Sequence, residues 1–253
     1  MRVAFVGKGG AGKSAIAGTL ARFVARRGEP VLALDSDPMP GLAYSVGVEV
    51  TDAAIPDEAV EARPEGEDGP RYRLRPGLSA SHAVELYAAH GPDGVRFLQF
   101  GKLRGSGGAF MRSQLAFRQI LDELPDDGWS LVGDLPGGTR QPFFGWGDYA
   151  RTIMVVIEPT AKGLLSARRL ARLALGEAAP ERVVAVVNKV RKGDDLEQVG
   201  RRAGLDVIAA VPWDEELAEA ERRGLAPIDH APKSAAVAAV ESLVDRLMEE
   251  DSK

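Results

Sequence analysis

The chain has 253 residues, of which 45% are hydrophobic, and it contains no cysteine. This length and apolar content suffice for a substantial core, and the absence of cysteine excludes disulfides, thiolate metal sites and cysteine nucleophiles. The formal charge is −5, so no overall positive field attracts nucleic acid or an anionic membrane. No apolar run approaches the roughly 20 residues that span a bilayer, and the chain opens on strand residues rather than a signal peptide. We expect one cytoplasmic domain over residues 1–253, without membrane insertion or nucleic-acid binding.

The first predicted elements are a buried strand over residues 2–6, a glycine-rich loop from Gly7 to Ser14, and a helix that ends near Gly28. The loop matches G-x-x-x-x-G-K-[ST], the phosphate-binding loop (P-loop). Its glycines let backbone N–H groups surround a phosphate chain, and the helix directs its positive end at the same phosphates. Lys13 is expected to reach the β- and γ-phosphates, with the Ser14 hydroxyl on Mg²⁺. The predicted nucleotide contacts of this loop are Gly9, Gly10, Ala11, Gly12, Lys13, Ser14 and Ala15.

Further along the chain, short β-rich runs alternate with amphipathic stretches. The runs are residues 31–34, 95–98, 131–132, 153–157, 183–187 and 207–211. This alternation predicts an α/β fold with a mostly parallel sheet and helices on both faces, a three-layer α/β/α arrangement. Ligands of such sheets bind at the carboxyl ends of the strands, which selects the polar residues that end these runs.

Three polar segments follow predicted strands and are expected to converge near the P-loop: residues 35–38, residues 134–138 and Asn188-Lys189. Asp134 lies after an apolar run and before a flexible turn, which is typical of the Walker B carboxylate that holds Mg²⁺. A turn-forming role before Pro136 is the alternative. Asp37 is positioned to orient water at the γ-phosphate, or else to cap the chain before Pro38.

The base-binding side is less determined by the residues. No guanine-reading N-K-x-D follows Val187, because Asn188-Lys189 is continued by Val190 and Arg191. Adenine is therefore favoured. Asn188 as a simple strand end and Pro212 as a strand breaker are the alternatives.

An additional lysine, Lys8, stands at the second position of the P-loop. With it, residues 8–14 resemble the deviant Walker A motif of the P-loop ATPase family that includes MinD, ParA and the nitrogenase iron protein. The resemblance implies ATP and Mg²⁺ as ligands, and an ATP-dependent homodimer in which Lys8 reaches the partner's nucleotide. It implies catalytic roles for Lys8, Lys13 and Asp37, metal contacts from Ser14, Asp37 and Asp134, and further nucleotide contacts from Gly138, Asn188, Lys189, Pro212, Trp213 and Asp214.

Within that family the chain is most similar to the CooC-type ATPases, which assist nickel insertion into carbon monoxide dehydrogenase. The similarity is carried by residues 158–160, the predicted helix over 164–173, and residues 187–189, 211–216 and 220–229. The C-x-C metal motif of that type is missing, because Gly108-Ala109-Phe110-Met111 stands in its place. Ala109 supplies no ligand and Met111 is expected in the core, so direct nickel carriage is doubtful.

The remaining segments carry weaker signals. We expect a solvated excursion over 52–71, a mobile loop over 101–112, and solvated helix faces at Arg168-Arg169 and Arg201-Arg202. The sequence thus favours an ATPase that acts as an ATP-dependent dimeric switch for an unidentified client protein. A low-turnover scaffold or positioning switch of the ParA and MinD kind is the alternative.

Overall fold

The computed structural model describes residues 1–37, 41–49, 55–99, 107–138, 145–178 and 180–251. The predictions for residues 101–106 and for Pro38 lie outside these ranges. Among the described helices, none combines the length and apolarity that a membrane crossing requires.

The strands confirm the predicted parallel sheet. They are β1 (Arg2–Gly7), β2 (Val31–Asp35), β3 (Val60–Ala62), β4 (Tyr72–Leu74), β5 (Ala89–His90), β6 (Arg96–Gln99), β7 (Ser130–Asp134), β8 (Thr152–Ile157), β9 (Arg182–Val190) and β10 (Val207–Pro212). In the described ranges eight of them form one sheet in the order β10-β9-β8-β1-β7-β2-β6-β5. All neighbours are parallel except β5, which pairs antiparallel with β6.

Helices cover both faces of this sheet. They are α1 (Lys13–Arg26), α2 (Leu42–Val46), α3 (Ala80–Tyr87), α4 (Gly107–Glu123), α5 (Ala161–Leu173), α6 (Leu196–Ala203), α7 (Glu215–Arg223), α8 (Pro227–His230) and α9 (Ala235–Asp251). Buried side chains of α1, α2, α8 and α9 share one hydrophobic cluster, and those of α3, α4, α5 and α6 share the other. The result is the expected three-layer arrangement.

Strand β1 illustrates how the sequence produces two cores. Val3 and Phe5 contribute to the cluster on the α1 side, whereas Ala4 and Val6 contribute to the cluster on the α4 side. Successive strand side chains point to opposite faces, so a strand buried on both sides is apolar throughout. Such a strand is the central support of the loop that follows it.

The two edges of the sheet are irregular. At one edge, β5 is only two residues long. At the other, the pairing of β10 with β9 is interrupted by two register shifts, and β10 ends at Pro212. Short strands, bulges and prolines are the usual features that prevent further strand pairing.

Two expectations about connecting segments require correction. The segment predicted as a solvated excursion over 52–71 is buried in its first part, where Ile55 and Val60 pack against α4 and its neighbours, whereas residues 64–71 are exposed as expected. Its strand β3 pairs antiparallel with β4, which begins directly after the segment. Apolar residues spaced widely among charged ones still reach the core from a hairpin. The segment predicted as a loop over 101–112 is helical from Gly107 onward, as the first turns of α4.

Candidate functional site

The P-loop joins β1 to α1 and needs its glycines for steric reasons. Gly10 and Gly12 have φ angles of 79° and 89°, the left-handed region that favours glycine. A Cβ at Gly7 would lie 2.8 Å from the carbonyl oxygen of Val156 on β8. The loop leads directly into the N-terminus of α1, where Lys13 is the first residue and is only 8% exposed. This geometry leaves backbone N–H groups and a helix N-terminus available to an anion.

Ser14 and Asp134 form the polar pair next to Lys13. The Ser14 hydroxyl donates a hydrogen bond to Oδ2 of Asp134, while Oδ1 of the same carboxylate is buried without a partner in the described part of the chain. Burial raises the pKa of Asp134 to about 6, although Lys13 and the Ser14 hydrogen bond act in the opposite direction. A hydroxyl and a carboxylate are the oxygen donors that Mg²⁺ prefers, and the buried, unsatisfied oxygen fits a cation at this point.

Asp35, the last residue of β2, has a structural role in the site that no sequence pattern indicated. It is fully buried and accepts backbone N–H hydrogen bonds from Asp37, Gly41 and Leu42 at 3.0, 3.1 and 2.9 Å. Burial and the neighbouring Asp134 together raise its pKa to about 8, although the hydrogen bonds from the backbone N–H groups act in the opposite direction. One carboxylate thus holds both ends of the segment between β2 and α2, and with it the backbone of Asp37.

We expect Asp35→Ala to release this segment. Loss of three hydrogen bonds to a buried carboxyl group should lower the free energy of unfolding by about 2–4 kcal/mol and speed amide exchange at Asp37, Gly41 and Leu42. Hydrogen exchange read by NMR measures this directly. Ser36→Ala is the matched control, since it removes only a hydroxyl that donates to the Asp134 carbonyl oxygen at 3.1 Å. Unchanged exchange at the three amides in Asp35→Ala would show that the carboxylate does not hold the segment.

Asp37 connects the two segments predicted to sense the γ-phosphate. Its Oδ2 accepts a hydrogen bond from the backbone N–H of Gly137 at 3.2 Å. Gly137 itself approaches the P-loop, because a Cβ built there would lie 3.9 Å from Gly9. Gly138 follows with a φ of 125°. The structure therefore brings Asp37, Asp134 and Gly138 together beside the P-loop, and their catalytic and metal roles remain predictions.

Asn188 and Lys189, at the end of β9, hold the P-loop from the other side. Nδ2 of Asn188 donates to the carbonyl oxygen of Ala11 at 2.8 Å, and Nζ of Lys189 donates to that of Gly10 at 2.7 Å. A Cβ at Gly12 would lie 2.2 Å from the Asn188 amide nitrogen, so this contact excludes any larger residue at Gly12. Lys189 has a φ of 60°, which is uncommon outside glycine and typical of constrained functional positions.

Pro212, Trp213 and Asp214 lie next to this strand end. Pro212 pairs with Val190, and the Trp213 N–H donates to the Val190 carbonyl oxygen at 2.9 Å. The Trp213 ring is 38% exposed and carries the Arg191 guanidinium 4.5 Å from its centroid. Asp214 caps α7 by accepting the Glu216 N–H at 2.9 Å. Asp214 thus has a capping role, and base binding by the three residues remains a prediction.

A cavity of about 200 Å³ opens beside Ser14 and Ala15, and its other walls were not predicted. They include Tyr44 on α2, Glu221 on α7 and Leu225. Tyr44 and Leu225 are 46% and 38% exposed. These walls come from parts of the chain that are distant in sequence from the P-loop, so only the fold brings them to it.

The residue before Asp134 is constrained from the opposite face of the sheet. The Tyr149 hydroxyl lies 1.5 Å from the position that a Cβ on Gly133 would take, so glycine is required there. This hydroxyl is buried without a partner in the described ranges, and burial raises its pKa. Trp146, nearby, is 6% exposed with its ring centroid 6.2 Å from that of Phe117. It therefore packs in the core, while Phe143 and Phe144 lie outside the described residues.

Lys8 differs from the other P-loop cation. Its side chain is exposed and makes no hydrogen bond or ion pair with any residue that the structure describes. Lys13, five residues later, is buried. Two lysines in one loop thus face different environments: Lys13 lies within the site, and Lys8 extends into solvent.

Side chains that could bind a metal ion are dispersed in the described part of the chain. No group of three or more His, Asp or Glu side chains there is arranged to hold a metal ion. Met111 is 47% exposed and lies in the first turns of α4, which corrects its predicted place in the core.

Comparison with known proteins agrees with this geometry. The chain is 30% identical to an uncharacterized ATP-binding protein of Methanocaldococcus jannaschii over 250 residues, 93% of each chain. It is 27% identical to the carbon monoxide dehydrogenase accessory protein CooC of Rhodospirillum rubrum over 265 residues, 98% of this chain and 97% of that one. The septum site-determining protein MinD of Pyrococcus horikoshii, solved with Mg-ADP, has the same fold, with a TM-score of 0.74, 17% identity and coverage of 97% and 94%. The family model of the CobQ/CobB/MinD/ParA nucleotide-binding domain matches residues 3–228, and the chain belongs to this family.

Proposed function

We propose that this chain is an ATPase of a single domain that dimerises with ATP and acts as a switch for a client protein in the cytoplasm. One observation carries the proposal: Lys8 is exposed and unpaired within the described residues, beside a P-loop whose other cation is buried. A cation supplied by a second subunit would stabilise charge on the transferring phosphoryl group and make hydrolysis depend on assembly.

The roles of the chain's own residues follow from their positions. Backbone N–H groups of residues 9–15 and the Lys13 ammonium bind the phosphates of ATP. The Ser14 hydroxyl and the Asp134 carboxylate would hold Mg²⁺, which supplies charge neutralisation at the phosphates when bound. Asp37 orients the attacking water, and its hydrogen bond to the Gly137 N–H links it to the segment that reports the state of the nucleotide. Asn188 and Lys189 hold the loop in shape from behind.

The likeness to CooC supports a client in metalloenzyme maturation. Because Ala109 stands where that type has a cysteine, we propose assistance without direct metal carriage. The low-turnover scaffold is the second candidate, and steady-state phosphate release separates the two.

Lys8→Ala tests the cross-subunit role. Nucleotide binding should be preserved, because Lys13 and the backbone N–H groups remain, whereas ATP-driven dimerisation should be lost. A fluorescent ATP analogue measures binding, and sedimentation velocity with ATP and with ADP measures assembly. Lys233→Ala, at another exposed lysine, is the control and should dimerise like the wild type. Dimerisation of Lys8→Ala with ATP would contradict the proposed role.

A further inference from the structure

The outer face of α5 concentrates positive charge. Lys162, Arg168, Arg169 and Arg172 are all exposed, and no acidic residue occurs between Ala161 and Gly176. None of these four side chains has an ion pair or hydrogen bond with a residue in the described ranges. We call these four residues, with Leu165 on the same helix and Leu175 in the π-helical segment that continues it (Ala174–Ala178), the basic face of α5.

Helical geometry explains why they form one surface. At about 100° per residue, the positions 162, 165, 168, 169 and 172 fall on the same side of the helix. Leu164, Ala167 and Leu170 point the other way and are buried in the core. The basic face is therefore directed outward along the whole helix.

Two leucines on this face are unusually exposed. Leu165 and Leu175 have 54% and 65% of their surface accessible, the largest values among the exposed large hydrophobic residues described. Arginine and large apolar side chains together are typical of the central parts of protein interfaces. The sequence predicted a solvated helix face at Arg168-Arg169, and such a face would not require exposed leucines.

The lack of compensating charge distinguishes this helix within the chain. The protein is acidic overall, and arginines elsewhere, including Arg27, Arg73 and Arg182, have carboxylate partners. Like charges three or four residues apart, as in Arg168, Arg169 and Arg172, destabilise a helix by a few tenths of a kcal/mol per pair. The helix dipole favours Arg172 in the last turn, but no carboxylate in the described chain pairs with any of the four cations, so the compensating charge is to be sought in a partner.

We propose that the basic face of α5 docks an acidic segment of a partner protein, one in which carboxylates alternate with apolar side chains. This inference rests on the proposed function, whose client it characterises. Carboxylates would pair with the guanidinium groups, and the apolar side chains would cover Leu165 and Leu175. A phosphate backbone could satisfy the arginines but would leave the leucines uncovered, which favours a protein over a nucleic acid. Strand β8 pairs with β1 and leads into α5, so the N-terminal end of α5 starts at the same edge of the sheet as the P-loop.

The probe is a short fluorescein-labelled peptide of glutamate and leucine with helical spacing, measured by fluorescence anisotropy on the full-length protein. Arg168→Glu/Arg169→Glu should weaken binding by about tenfold or more. Arg222→Glu/Arg223→Glu reverses the same charges on α7 and should bind like the wild type. Leu165→Ser should weaken binding of this peptide several-fold, but not of a peptide in which serine replaces leucine. Equal binding by the two double variants, or no effect of Leu165→Ser, would overturn the proposal.

Two further probes test other occupants. The proposal would be overturned if a DNA duplex or phosphatidylglycerol vesicles bind through Arg168 and Arg169 while the peptide does not bind. It would also be overturned if the protein self-associates and Arg168→Glu/Arg169→Glu abolishes that self-association. Thermal unfolding confirms that each variant folds. ATP-driven dimerisation of Arg168→Glu/Arg169→Glu should match the wild type, so failure of the docking surface and failure of the ATP switch give different results.

Discussion

Replacing Asp93 and Asp229 together by asparagine is expected to lower the free energy of unfolding by about 3 kcal/mol, because it leaves a buried arginine without a counter-charge. Arg22 on α1 is 2% exposed. Its guanidinium makes two hydrogen bonds of 2.9 Å to Asp229 and one to Asp93, and it donates to the Val46 carbonyl oxygen at 2.9 Å. One side chain of the P-loop helix thus holds α2, α8 and the loop before β6. The side chain of Asp229 is 49% exposed, which places the effect at the lower end for a buried pair.

Urea denaturation measures the loss, and a third substitution makes the cause testable. Adding Arg22→Met to the double variant should recover part of the stability, because it removes the uncompensated charge and keeps apolar volume. Glu197→Gln is the control: it breaks the exposed pair of Glu197 with Arg201 on α6 and should change stability by at most about 0.5 kcal/mol. A triple variant less stable than the double would show that buried charge is not the origin of the effect.

Asp37→Asn is expected to reduce ATP hydrolysis by about 100-fold or more, because the amide cannot accept a proton from the water that the carboxylate would orient. ATP affinity should change little, since the phosphate-binding groups belong to the P-loop. The variant should therefore accumulate as an ATP-bound dimer. Phosphate release and sedimentation velocity measure the two quantities, with Asp57→Asn, at an exposed aspartate, as the control. Hydrolysis at the wild-type rate would exclude Asp37 from catalysis.

The stalled variant also provides a route to the client. Partners captured from native extract by Asp37→Asn loaded with ATP can be compared with those captured by the ADP-loaded protein. An apo metalloenzyme enriched with ATP would support maturation, whereas a membrane, cytoskeletal or DNA-associated protein would support the positioning switch.

The sequence predicted the parts of the site that depend on local pattern. An apolar run, spaced glycines and a helical period predict the β1, P-loop and α1 unit, and the structure contains it. The convergence of Asp37, Asp134 and Asn188 on the P-loop was also predictable, because parallel strands bring their carboxyl ends to one edge of a sheet.

Features that depend on tertiary contacts were not predictable. Asp35 and Asp37 are both aspartates in one short polar segment. Only the way in which the chain folds back after β2 makes Asp35 the acceptor of the backbone N–H hydrogen bonds. Tyr149, in the connection between β7 and β8, packs back against Gly133 on β7, and no motif marks either residue. The β3–β4 hairpin was missed because its few apolar residues are dispersed among charged ones, so neither a period of 2 nor one of 3.6 stands out.

The irregular edges of the main sheet restrict how two copies can associate. A two-residue strand at one edge and a shifted strand that ends in proline at the other offer few regularly spaced N–H and C=O groups for another chain. A continuous intermolecular sheet is therefore disfavoured, and so is its aggregation into fibrils. Two copies would have to meet through loops and helices, which can rearrange with the nucleotide and separate again, whereas a shared sheet would be a permanent connection.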